Sequence, residues 1–154
     1  MINRKTFLFA GCGASAVAAL VVVAVLVGPA RANKDPVTPE QLNAYDQVFL
    51  DEVKKGDLLF HGDGATAKAM GVNLSGTGMA CAMCHPFASD THPMAFPKFQ
   101  VSMNQFATLR DMINWCIEKP NQGEKIDPES EAMKALEAYI YWSNTGSVLV
   151  PGKY

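Results

Sequence analysis

Residues 81–85 read Cys-Ala-Met-Cys-His, two cysteines three positions apart with a histidine directly behind the second. In that spacing two thiols capture the vinyl groups of a porphyrin as thioethers while the adjoining imidazole reaches the iron. The stretch therefore predicts one covalently bound haem c, held by Cys81 and Cys84, with His85 as an axial iron ligand. A zinc site needs a second ligand pair, and the remaining donors beyond the leader, His61, His92 and Cys116, are not spaced as one. A thioredoxin-like dithiol needs a surrounding strand-helix-strand pattern, which the flanking sequence lacks.

Outward from this motif the pattern is helical. Thr38 is placed to cap a helix with Pro39 in its first position, and Leu42, Tyr45, Val48, Phe49, Val53 and Leu59 or Phe60 recur at helical spacing, predicting a long first helix. Residues 61–80 are rich in glycine and lose periodicity, so a loop with one turn around residues 65–70 is expected. Residues 86–101 hold three prolines and predict an irregular wrap across a haem face. Helix resumes over residues 105–119, where Thr108 and Asp111 form a capping box and Pro120 is the stop. Its apolar face is Phe106, Leu109, Met112 or Ile113, Cys116 and Ile117. A last helix over residues 130–143 turns Met133, Leu136, Tyr139, Ile140 and Trp142 inward. No internal repeat and no strand pair is expected. The fold class is all-α, with residues 40–154 as one domain and residues 33–39, which carry two prolines, as its linker. A domain this small buries a limited core, and a flat apolar cofactor supplies much of the missing interior.

Residues 3–5 are Asn-Arg-Lys, and an uncharged apolar run follows over residues 6–28. This is the pattern of an export signal, with Ala30-Arg31-Ala32 resembling a cleavage site, but the run is also long enough to span a bilayer. The balance falls toward an uncleaved anchor. The positive start puts the domain on the periplasmic side of the bacterial inner membrane, or free in the periplasm if the chain is cut after Ala32. Cys12 lies within this leader as a small membrane residue. Beyond Ala32 stand ten basic and fifteen acidic residues, a net charge of −5, which excludes nucleic acid as a partner and suits a basic docking surface on a redox protein.

The second axial ligand decides the redox character, since methionine raises the potential and a thiolate lowers it. Candidates are Met94, Met103, Met112, Met133, His92 and Cys116. Met112 and Met133 fall at helical spacing, as core methionines do, whereas Met94 and Met103 sit in irregular sequence. Cys116 reads either as a small apolar residue on an inner helix face or as a sulfur protected by an iron bond, which would explain an exported cysteine without a disulfide partner.

Two resemblances add to this reading. Gly56-Asp57-Leu58-Leu59-Phe60 is similar to the G-x-x-x-F/Y segment in the first helix of class I cytochromes c, where glycine permits close approach of the last helix. Residues 96–146 resemble the haem domains of thiosulfate dehydrogenases and the related SoxA-type cytochromes of sulfur oxidation. The shared elements are the Phe96-Pro97-x-Phe99 entry, Ile113-Asn114-x-Cys116, Gly123 and the Ser130-x-x-Met133-x-Ala135-Leu136 run, with Val150-Pro151-Gly152 behind them. The resemblance implies that Cys116 is the distal iron ligand and that sulfur compounds react beside it. Three departures stand against a full match: a single CxxCH motif where two haems are common, Met112 where an arginine is usual, and a shorter wrap between His85 and Cys116. Arg110 and Lys98 are the cations left to replace that arginine. With one haem motif, an anchor-like leader and no catalytic group beyond the ligands, the expectation is a one-electron carrier between a membrane respiratory or photosynthetic complex and a periplasmic redox partner. The alternative is a catalytic or accessory subunit of thiosulfate oxidation, which would need a second cytochrome subunit.

Overall fold

A computed structural model describes residues 36–152. The leader, residues 1–32, and the start of the linker lie outside the described residues. Among the described residues no helix is long and apolar enough to cross a membrane.

Helix α1 spans Pro39–Phe60 and begins where its signals stand: the Gln41 N–H donates to the Thr38 hydroxyl at 3.2 Å, and the Gln41 side chain accepts from the Thr38 N–H at 2.9 Å. Helix α2, Gly64–Ala69, is the turn expected in the glycine-rich segment, capped by Asp63. Cys81–Cys84 forms the short helix α3. Helix α4 spans Leu109–Glu118 behind its Thr108–Asp111 capping box, and α5 spans Glu131–Ser143 behind Ser130.

The core forms where α5 crosses the C-terminal half of α1, and Gly56 is what allows the crossing. A Cβ at that position would collide with the Ala135 carbonyl and with the Tyr139 side chain. Val53, Leu59 and Phe60 of α1 meet Met133, Leu136 and Ile140 of α5, all nearly or fully buried. At about 1.5 Å per residue the 22-residue α1 is about 33 Å long and the 13-residue α5 about 20 Å. The shorter helix cannot cover the longer one. Leu42, Tyr45, Val48 and Phe49, which belong to the same apolar stripe in the sequence, are accordingly exposed.

Three expectations are corrected. Trp142, expected on the inner side of α5, is exposed. No strand pair was expected, yet β1 (Lys98–Gln100) and β2 (Gln105–Ala107) pair antiparallel, with Phe99 opposite Phe106. Three-residue strands are too short to show an alternation of period two. The hairpin also takes the first residues assigned to α4, so that helix starts at Leu109 and Phe106 is an exposed strand residue rather than part of its apolar face.

Candidate functional site

The attachment motif occupies one helical turn. The His85 N–H donates to the Cys81 carbonyl at 2.9 Å, closing the turn, and residues three apart on a helix share a face. Cys81 is half-buried and Cys84 is exposed beside it. Across from them stands α4, carrying Cys116. His85, Cys81 and Cys116 line one cleft of about 160 Å³, walled by Phe60, Phe96, Leu109, Ile113, Leu136 and Ile140. A larger depression of about 570 Å³ shares Cys81 and lies under residues 62–80, but neither His85 nor Cys116 reaches it. The chemistry therefore belongs to the smaller, apolar cleft.

Burial pushes the Cys116 thiol up to about 11, and the neighbouring Cys81 and Cys84 add to the shift. Burial raises Cys81 too, with Cys84 contributing in the same direction and a backbone hydrogen bond opposing it. None of the three thiols is in a disulfide. Among the described residues no group of three or more His, Cys, Asp or Glu side chains is arranged to hold a bare metal ion. The donor set fits a haem instead: two thiols on one helical turn, an imidazole at its end and a third sulfur, from α4, lining the same apolar cleft.

The remaining candidates separate by position. Met112 and His92 line the same cleft. Met94 lines a different hollow beside Asn144 and Val148, Met103 one beside Trp115 and Lys119, and Met133 is fully buried in the core. His61 pairs with Asp57 at 2.8 Å.

The two cations named in the sequence also separate. Arg110 Nε donates to Glu137 at 2.9 Å and its Nη1 to the Pro128 carbonyl at 2.9 Å, with Glu129 also paired, so this side chain ties α4 to the middle of α5 and to the segment before it. Lys98 lines the cleft, with Nζ 5.0 Å from the centre of the Phe96 ring, and no carboxylate shares that lining.

Asn114 has a role the sequence did not disclose. It is buried, its Nδ2 donates to the Ile126 carbonyl at 2.9 Å, and its Oδ1 accepts from the Ile126 N–H at the same distance. This clamp fastens the segment after Pro120 to α4. The segment packs in turn on the loop before the motif: a Cβ on Gly123 would strike Leu74, and the Glu124 N–H donates to the Asn73 carbonyl at 2.8 Å. A buried amide inside an amphipathic helix is the signal that could have revealed it, since such groups are satisfied by partners.

A family model described as SoxA/TsdA, cytochrome c domain, matches residues 72–149, half of the chain and all of the segment from Cys81 to Cys116. No curated protein sequence matches significantly. In fold the chain is similar to thiosulfate dehydrogenase (TsdBA) from Marichromatium purpuratum in its as-isolated form, with a TM-score of 0.51 and 19% identity over 79% of this chain. The match spans 27% of that longer chain.

Proposed function

The chain belongs to the SoxA/TsdA cytochrome c domain family, and from that membership we propose that it is a one-haem electron carrier of sulfur oxidation, with Cys81 and Cys84 as the thioether links and His85 and Cys116 as axial ligands. A cytochrome c domain implies covalent haem c, and the single CxxCH motif of the sequence supports a count of one. The observation that carries the reading is that His85 and Cys116 face the same apolar cleft. When bound, the haem supplies a one-electron iron couple. The protein's own contribution is to fix and shield it. Cys81 and Cys84 hold the porphyrin, Phe60, Phe96 and Ile140 keep water from its face, and Cys116 brings a sulfur that needs a positive partner to lose its proton in that setting.

The leader supports a place on the periplasmic side of the inner membrane, held by residues 6–28, with electrons passing between a membrane complex and a periplasmic partner. Fractionation of the full chain tests the place: the domain is expected with membranes and open to protease from the periplasm, and protection from that protease contradicts it. Stopped-flow mixing of the holoprotein with reduced and oxidised partner cytochromes tests the role. Fast exchange in both directions with full recovery of the spectrum is expected, and exchange too slow for turnover rejects a carrier.

One observation favours a second reading. Lys98 is a cation lining the same cleft as Cys116, with no acid in that lining, an arrangement that suits an anionic sulfur substrate. Oxidative joining of two thiosulfates releases two electrons, so a one-haem chain would need a second cytochrome subunit to take one of them. Thiosulfate-dependent reduction in the presence of such a subunit supports catalysis, and its absence leaves the carrier.

A further inference from the structure

Between the attachment motif and β1 the backbone adopts two conformations that residues with a Cβ rarely take. Ala88 and His92 lie in the left-handed region, at φ 48° and 49°, one on each side of the single helical turn Ser89–Thr91. Such strain persists only where the surroundings over-determine it, and here they do. Ala88 is completely buried and its N–H donates to the His85 carbonyl at 3.2 Å. Its own carbonyl accepts from the Thr91 hydroxyl and, at 3.3 Å, from the Asn144 amide at the end of α5. Asn144 is buried too, and also donates to the Ile140 carbonyl at 2.8 Å. The turn is thus tied to the core helix behind it.

The locked turn folds the chain back on the motif and brings Asp90 Oδ1 to 3.4 Å from His85 Nδ1, within ion-pair range. Nδ1 is the nitrogen left over when Nε2 binds a metal, and what it donates to sets the tautomer, plane and basicity of the ligand. Among the described residues no backbone carbonyl takes that place. We propose that Asp90 is a positioning residue for the iron's proximal ligand: its carboxylate accepts a hydrogen bond from the Nδ1–H of His85, fixes the imidazole plane, strengthens it as a donor and lowers the reduction potential. Reduction adds one electron to ferric iron and moves no proton at this pair, so a negative acceptor behind the imidazole favours the ferric side of the couple. The inference rests on the reading that haem is attached at Cys81 and Cys84.

The test uses full-length holoprotein matured in a host competent for haem attachment, as wild type, Asp90→Asn, Asp90→Ala, Asp90→Glu and Asp46→Asn. Asp46 is exposed on the first half of α1, and its variant controls for loss of one surface charge. Potentiometric titration should show an upward shift for Asp90→Asn, a larger one for Asp90→Ala, a value nearer wild type for Asp90→Glu, and little change for Asp46→Asn. Nitrogen-15 resonances of labelled histidine should report a weakened Nδ1 hydrogen bond, and faster exchange of that proton, only in the Asp90→Asn and Asp90→Ala proteins. Asp90→Asn and Asp46→Asn potentials that agree, with an unchanged Nδ1 signal, overturn the role of Asp90 while the haem reading stands. Wild-type protein without covalent haem overturns both.

Discussion

The two walls of the cleft are built in opposite ways. The wall that presents His85 is a local device: Cys81 to His92 is a single short stretch, shaped by two helical turns and two left-handed residues and pinned to α5 by Asn144. The wall that presents Cys116 is a regular helix with an intact capping box, placed by partners distant in sequence through Asn114 to Ile126 and Arg110 to Glu137. The first wall depends on covalent chemistry and backbone shape, the second on tertiary packing. Changes on the His85 side should therefore act through haem attachment and potential, and changes on the Cys116 side on stability and distal ligation with the haem still attached.

The sharpest break removes the two thiols proposed to carry the haem. Cys81→Ala combined with Cys84→Ala should abolish acid-stable haem and leave a poorly folded chain, because the cofactor fills much of a small interior. Absorbance of the denatured protein and circular dichroism read the two effects, and a double variant as helical and cooperative as wild type contradicts the dependence. On the opposite wall, Asn114→Ala strands two buried backbone groups of Ile126 and should cost about 1–3 kcal/mol in chemical denaturation while the haem stays attached. A loss of attachment there would erase the distinction between the walls. The smallest effect is expected from Arg110→Ala. Its ion pairs are partly exposed, so about 1 kcal/mol or less should be lost, with no change in the spectrum. A spectral change would place Arg110 in the site after all.

The regular wall was legible in the sequence and the irregular one was not. Thr108, Asp111 and Pro120 marked the bounds of α4 to within a few residues, and Gly56 marked the helix crossing because a steric requirement left no room for another residue. The apolar stripe of α1 misled in its first half. Periodicity reports an amphipathic helix but not how far a partner extends along it, and α5 is too short. The hairpin around Asn104 and the turn around Asp90 escaped because both rest on residues in the left-handed region that are not glycine: Asn104 and His92 belong to types that adopt it more often than most, which is too weak a signal to place a turn, and Ala88 gives none. The Cys-Ala-Met-Cys-His spacing could be read from the sequence alone, whereas the contact between His85 and Asp90 needed the folded chain. Among the distal candidates, the sequence could not tell which sulfurs share a cleft with His85. In the structure Cys116 and Met112 do, and Met94, Met103 and Met133 do not.

The central claim is a haem iron held between His85 on the local wall and Cys116 on the packed one. Low-temperature electron paramagnetic resonance of ferric holoprotein, wild type beside Cys116→Ala, tests it most directly. The account predicts a low-spin signal of histidine–thiolate type in wild type that disappears in Cys116→Ala while the haem remains covalently bound. A histidine–methionine or bis-histidine signal in wild type, unchanged by the substitution, would contradict it.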